Sequence, residues 1–289
     1  MKVSGFTIVR NAIKYDYPIV EAILSILPLC DEFVVSVGDS DDETMDLIRN
    51  IQSPKIRIIH SKWDDSLRQG GQVLAVETNK AFDHVAADRD WAFYIQADEV
   101  VHEQYHDTIR HAMQKYANDD SVDGLLFHYT HFYGSYKYVG NSRKWYRREI
   151  RIIRNDKSIR SYRDAQGFRK NGQKLHVKPI DAYIYHYGWV KPPAAQQAKQ
   201  HTFHKLWHDD AWVREHVSSA TEYDYSIIDS VAEFAGTHPS VMQDRLGRYN
   251  WSFDFDTKKK NSSLKNTVLG WIENLTGWRI GEYRNYKIK

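Results

Sequence analysis

Four short polar clusters follow apolar runs. Arg10-Asn11 follows residues 6–9, Gly38-Asp39-Ser40 follows 33–37, Trp63-Asp64-Asp65 comes soon after 56–60, and Gln96-Ala97-Asp98-Glu99 follows 91–95. Carboxylates and amides gathered at strand ends can accept or donate hydrogen bonds, pair with cations or move protons. Each cluster also has a plain structural use. Asp39 and Ser40 can cap the next helix, and Asp98 can start a turn. Capping explains one such cluster more readily than four on one edge. Open α/β sheets bind ligands beyond the carboxyl ends of their parallel strands.

The elements that must position these groups alternate in type. Residues 6–9, 33–37, 56–60 and 91–95 read as strands. The last is almost wholly apolar, as expected of a central strand covered on both faces. Between them, residues 18–29, 43–51 and 72–86 carry helical patterns, the third with Val73, Val76, Ala81, Phe82 and Val85 as core candidates. Such alternation predicts parallel βαβ units. Beyond Glu99, 103–117 reads as a helix, and 124–133, 149–154 and 182–187 as strands of a mixed or antiparallel part. Residues 134–148 and 155–181 read as polar, basic loops. From Ala194 the pattern is helical, clearest over 194–208 and 211–216. The expected architecture is α/β: a Rossmann-like mixed sheet with helices on both faces and a helical C-terminal extension. The expected division is a catalytic domain over 1–192 and a helical region over 193–289 packed on it.

The chain has 289 residues, enough for one large core, with 42% hydrophobic and 27% charged residues. One cysteine, Cys30, excludes an internal disulfide framework and suits a reducing cytosol. Its apolar surroundings mark it as a buried small hydrophobe. No signal peptide or membrane-length apolar run is evident, so a cytoplasmic location is expected. Asn261-Ser-Ser and Asn274-Leu-Thr match a glycosylation acceptor, but so short a pattern arises by chance. Nine Trp, 19 Tyr and 11 Phe could face sugar rings, although packing is the plainer use. Net charge is only +2, yet residues 257–289 hold eight Lys/Arg against two Glu, and 142–174 hold twelve against three acids. Such stretches attract diphosphates, anionic lipid or nucleic acid.

Three segments carry a family resemblance: Phe6-Thr-Ile-Val-Arg-Asn11, Val35-Ser-Val-Gly-Asp-Ser-Asp-Asp-Glu-Thr44 and Trp91-Ala-Phe-Tyr-Ile-Gln-Ala-Asp-Glu99. Over roughly residues 3–190 the chain resembles a family 2-type glycosyltransferase of the GT-A fold. The resemblance implies that Asp39 contacts the nucleotide base, with Arg10 and Asn11 bordering the pocket. Asn79 falls in a further matching segment that begins near Gly70-Gly71-Gln72. The end Gln96-Ala97-Asp98 matches the family's Asp-x-Asp metal motif, except that Gln96 replaces the first acid. Asp98 would bind Mn²⁺ or Mg²⁺ together with the diphosphate, and His186, in Tyr185-His-Tyr-Gly-Trp189, is the candidate second ligand. An inverting transfer also needs a general base. The candidates are Asp164, Asp181 and Glu99, with Asp164 preferred because its loop follows the strand at 150–154.

The implied activity is a hexosyltransferase-type enzyme. It would move a sugar from a UDP- or GDP-sugar to a glycan or lipid-linked acceptor, as in polysaccharide or lipopolysaccharide biosynthesis. A non-catalytic nucleotide- or glycan-binding protein of the same fold is the alternative, and Gln96 is what favours it. A nucleotidyltransferase would need a glycine-rich phosphate loop that Arg10-Asn-Ala-Ile-Lys14 lacks. No nucleic acid is expected, since no recognition motif accompanies the basic stretches. Phe234-Ala-Gly-Thr-His-Pro239 reads as a site-like turn or simply a turn. Leu264, Val268, Trp271, Ile272 and Leu275 lie at helical spacing near Lys258, Lys259, Lys260 and Lys265. That stripe suits either docking on the core or peripheral contact with an anionic membrane at its inner face.

Overall fold

The computed structural model describes residues 1–258 and 264–289, so Lys259, Lys260 and Asn261 lie outside the described residues. The first elements are β1 (Val3–Val9), α1 (Ile19–Ile26), β2 (Glu32–Gly38), α2 (Thr44–Arg49), β3 (Ile56–Ser61), α3 (Gln72–Asp83) and β4 (Trp91–Tyr94). β1 pairs in parallel with β2 and β4, and β2 with β3. All seven β1 residues are buried, as a central strand rich in β-branched residues requires.

The chain then reverses direction repeatedly. β5 (Glu99–Val101), α4 (His106–Lys115), β6 (Gly124–Tyr133), β7 (Ser135–Gly140) and β8 (Arg148–Arg154) follow. β8 runs antiparallel between β4 and β6. β9 (Ile159–Tyr162), β10 (Gly167–Lys170) and β11 (Gln173–Lys174) form a separate three-stranded antiparallel sheet. β12 (His176–Trp189) is long, parallel to β6 and antiparallel to β5. The expected mixed α/β sheet is therefore present. The segments 134–148 and 155–181 are a correction: they contain β7, β9, β10, β11 and the first half of β12. Strands as short and basic as Ile-Arg-Ser-Tyr or Gly-Phe-Arg-Lys show no apolar alternation to read.

Two apolar layers sandwich the sheet, because alternate strand residues point to opposite faces. Phe33, Val35, Phe93 and Ile152 face α1 and α4, in a cluster with Ile23, Ile26 and Met113. Phe6, Val34, Tyr94 and Ile153 face α3 and the small sheet, with Phe82 and Phe168. Each such buried side chain contributes about 1.5–3 kcal/mol of transfer free energy. On α3, Val73, Ala81, Phe82 and Val85 are buried as expected, whereas Val76 is exposed. Cys30 is buried, and burial pushes its thiol up to about 12.

After β12 come α5 (Pro193–Lys205), α6 (Asp210–His216), β13 (Val231–Glu233), α7 (Gln243–Gly247), α8 (Leu264–Thr276) and β14 (Lys287–Ile288). This region is only partly helical. β13 extends the sheet edge at β7, and β14 pairs with β12. Much of the aromatic content packs here: Phe132 stacks on Tyr187 at 4.6 Å, and Tyr133, Tyr225 and Phe253 form another cluster with Trp145 and Trp189. His238 bonds to the Tyr187 hydroxyl at 2.8 Å and to the Tyr136 carbonyl at 3.1 Å, so its turn is structural. α8 turns its acid inward, where Glu273 pairs with Arg143, Arg147 and Arg279. Its apolar stripe faces out, with Val268 57%, Trp271 65% and Leu275 66% exposed, and Trp278 just beyond it at 60%.

Candidate active site

The ends of β1, β2 and β3 meet at a polar rim. Arg10 donates to the Asp39 carbonyl at 2.8 Å and pairs with Asp65 at 2.7 Å. Asn11, in the left-handed region at φ 55°, donates its backbone N–H to the Ser40 hydroxyl and accepts from the Asp41 N–H at 2.7 Å. Asp39 pairs with His60 at 2.7 Å, and both side chains are substantially exposed. A cleft of about 320 Å³ is lined by Gly38, Asp39, Ser40, Met45 and His60, among others. Gly38 is required there, because a Cβ would lie 2.4 Å from the Trp63 indole nitrogen. Trp63 was not singled out in the sequence as a rim residue, although it stood in the third cluster.

A second assembly is buried where β4 hands over to β5. The pairing registers set it up: His186 on β12 stands opposite Glu99 on β5 and His131 on β6. Asp98 Oδ2 lies 3.1 Å from the Lys199 ammonium and 3.7 Å from His186 Nε2. Gly188 leaves the room for this: a Cβ would come within 2.6 Å of that oxygen. Burial disfavours the Asp98 anion, yet the charge beside it, the Lys199 ammonium foremost, outweighs that and holds the carboxyl well below the usual carboxylate range.

Hydrogen bonding fixes the imidazole tautomers. His131 Nε2 lies 2.8 Å from the Tyr146 carbonyl, which can only accept, so that nitrogen carries the proton. Burial first, then His186, pushes His131 down to about 3, leaving it neutral with a lone pair on Nδ1. His186 Nδ1, 3.2 Å away, must then donate. The lone pair of His186 Nε2 is thereby left beside Asp98. Burial also lowers His186.

Asp98 and His186, the expected metal ligands, are thus brought together. They do not fit a resident divalent ion. One carboxylate can serve Mg²⁺ or Mn²⁺ when substrate phosphates and waters complete the shell, but here the Lys199 ammonium sits on the very oxygen the ion would take. Among the described residues no group of three or more His, Cys, Asp or Glu is placed to hold a metal.

Glu99 is fully buried. It takes Arg151 through Nε at 2.8 Å and Nη2 at 2.7 Å, the Tyr129 hydroxyl at 2.7 Å and the Gln96 N–H at 3.1 Å. A carboxylate committed to four donors and closed to solvent braces the strand end and has no lone pair turned to an acceptor. Gln96 reaches the other way, donating to the Ala165 carbonyl at 3.3 Å. Arg151 donates to the Gln166 carbonyl at 3.0 Å. These bonds hold the turn containing Asp164, whose neighbours Arg163 (φ 55°) and Ala165 (φ 60°) are both left-handed. Two non-glycine residues in that region cost of order 1–3 kcal/mol each and persist only where the surroundings impose them. Burial raises Asp164, against its own backbone hydrogen bonds. Asp181 lies elsewhere, mid-strand on β12. Asn79 spends its amide on Ser161, accepting at 2.8 Å and donating at 3.3 Å, and so ties α3 to β9 instead of facing the strand ends. Ala97 is part of the turn between β4 and β5.

Sequence reading missed Lys191, Lys199, His131, Arg151 and Glu149. α5 crosses the site: besides Lys199, its Thr202 hydroxyl accepts from the Tyr15 hydroxyl at 2.8 Å, and the Leu206 carbonyl just after it accepts from Gly71 N–H at 3.2 Å. No local motif marks a lysine seven residues into a helix a hundred positions from its partner.

No family model matches the chain, and no curated protein matches it in sequence. Solved structures do. Staphylococcus aureus TarS is 18% identical over 70% of this chain and 39% of that one, with a TM-score of 0.39. S. aureus TarS 1-349 in complex with UDP is 15% identical over 76% of this chain and 68% of that one, TM-score 0.41. Glucosyl-3-phosphoglycerate synthase from Mycobacterium tuberculosis, with Mn²⁺, UDP and phosphoglyceric acid, is 18% identical over 46% and 43%, TM-score 0.29. The chain thus spans well under half of the full TarS structure.

Proposed function

We propose that this chain is a GT-A-type glycosyltransferase using a nucleoside-diphosphate sugar, with residues 1–192 as the catalytic part and 193–289 closing over it. One observation carries the reading. The end of β4 holds a buried, charge-balanced Asp98 and, two residues earlier, grips through Gln96 the strained turn that presents Asp164. An anion-handling corner and a candidate base are thereby fixed to one strand end.

In this reading the nucleotide lies along the rim, with its base toward Asp39 and its ribose toward Arg10 and Asn11. The diphosphate reaches the Asp98 corner. Asp164 takes the acceptor hydroxyl's proton as the new C1–O bond forms and the bond from C1 to the diphosphate breaks. A single displacement of this kind inverts the anomeric centre. A carboxyl raised by burial is the better base near neutrality. Asp164→Asn should leave nucleoside-diphosphate affinity unchanged and cut transfer by about 10²–10⁴-fold. Calorimetry and a sugar-transfer assay on the same preparation check this; normal turnover would remove Asp164.

The outward stripe of α8 favours a membrane-borne acceptor. Exposed Val268, Trp271, Leu275 and Trp278 adjoin exposed Lys265, and Lys287 and Lys289 close the chain. Aromatic side chains with nearby cations suit an anionic bilayer surface. Co-sedimentation with phosphatidylglycerol vesicles, absent with pure phosphatidylcholine and lost in Trp271→Glu, is the expected result. A self-association through the same face would instead appear as a concentration-dependent mass without lipid. Among the described residues no helix is long and apolar enough to cross a membrane.

A further inference from the structure

We infer that the basic pocket beside α8 binds the phosphate headgroup of an anionic lipid, whose acyl chains lie along the outward stripe of that helix. The inference rests on the membrane-facing reading of α8 above, not on the transfer chemistry.

The first ground is a cavity with surplus positive charge. About 480 Å³ of space is lined by Arg143, Lys144, Lys265, Leu269 and Ile280, among others. Arg143 is a fixed wall: it pairs with Glu273 and donates to the Ile280 carbonyl at 2.6 Å. Behind it, Arg147 and Arg279 share the same Glu273, and Arg147 and Arg284 share Glu282. Four guanidiniums, which keep their charge in proteins, thus answer two carboxylates. Lys144 pairs with Asp229 at 2.8 Å, which spends one of its three N–H donors, and its side chain is largely exposed. Lys265 is exposed and has no ion pair among the described residues. Positive charge therefore exceeds negative around the cavity, and two of the lysines on its lining have donors left over.

The second ground is where that charge sits. Lys265 precedes Val268 by three residues and Leu269 by four, so on the helix surface it neighbours both. Leu269 lines the cavity, whereas Val268 begins the exposed stripe that continues through Trp271 and Leu275. Charged cavity and apolar surface thus meet at one lysine. A free phosphate would answer only the cavity, and an apolar peptide only the stripe. A second copy docked two-fold through this face would bring another set of the same cations towards the first. A lipid phosphate answers both features, with its anion in the cavity and its chains on the stripe. Cations flanking exposed aromatic side chains are suited to that arrangement at a bilayer surface.

The test is calorimetry of the full chain with dihexanoyl phosphatidylglycerol below its micelle-forming concentration, beside glycerol 3-phosphate and inorganic phosphate. The short-chain lipid should bind roughly tenfold or more tightly than either soluble phosphate, since burying about two methylenes suffices for that. Lys265→Glu should weaken lipid binding by about tenfold or more, through a lost cation and a new repulsion. Lys115→Glu, at an exposed lysine on α4, should leave it unchanged. Matched thermal melts would show that each variant folds. Equal binding of the lipid and the soluble phosphates, or equal behaviour of the two lysine variants, would overturn the inference. A chain that sediments with phosphatidylglycerol vesicles but binds no short-chain lipid would overturn it too, and leave the membrane reading standing. Failure to sediment with those vesicles would sink both.

Discussion

The rim at the ends of β1–β3 and the seam where β5, β6, β8 and β12 meet are built on opposite principles. At the rim, polar side chains are at least partly exposed and paired singly: Arg10 with Asp65, Asp39 with His60. Such pairs contribute about 0–1 kcal/mol and leave their partners free to exchange for a ligand. At the seam, Glu99 and Arg151 are wholly buried and multiply bonded, and His131 and His186 are locked in one tautomer. Such a network specifies geometry before any ligand arrives. Recognition can be adaptable where charge is cheap to move. The chemical end must be rigid, because small displacements there lose rate.

Removing one partner at the seam should have the largest effect. Arg151→Met strands Glu99 as a buried unpaired charge and should cost about 3–5 kcal/mol in urea unfolding. A double variant, Arg151→Met with Glu99→Leu, should regain much of it; equal loss in both would show that the pair is not what the seam depends on. Glu149 comes next. It is nearly fully buried, with one carboxyl oxygen lacking a partner, and burial foremost raises it from 4.5 to about 8. Between those values the folded state keeps a proton that the unfolded state has lost. Its contribution is therefore greatest below about pH 4.5 and falls as pH rises towards 8, by about 1.4 kcal/mol per unit at most. Glu149→Gln should flatten that slope, and an unchanged stability profile from pH 5 to 8 would refute it. The smallest change in stability belongs to the rim. Asp39→Ala should shift unfolding by under about 1 kcal/mol while weakening nucleoside-diphosphate binding several-fold. If its melting temperature falls as far as that of Arg151→Met, the contrast between the two regions is false.

Much of the rim was legible in the sequence. β1 to β4 are largely apolar runs with local helices between them, and the first two end on polar residues that stay near their own strand, as Arg10, Asn11 and Asp39 do. The boundaries of β6 could be read directly, and Asp98 and His186, read as candidate metal ligands, lie 3.7 Å apart. Their setting was not legible. Glu99 read as a candidate base until Arg151, 52 positions later, and Tyr129 were seen to close on it. Asn79 read as a nucleotide contact, but its partner is a backbone 82 positions away. The apolar stripe on α8 was visible as periodicity, yet periodicity does not say which way a helix faces. Here the three-arginine knot around Glu273 turns the stripe outward.

The sequence by itself determined what depends on neighbours in the chain: the alternation of strands and helices, the buried cysteine, and the polar strand ends. These follow from periodicity and propensity, which act over a few residues. Only the tertiary structure decided protonation, tautomer and charge balance. Those are set by which distant groups share a low-dielectric space. Whether Asp98 faces a metal ion or Lys199 is such a question, and the packing of α5 across the strand ends answers it.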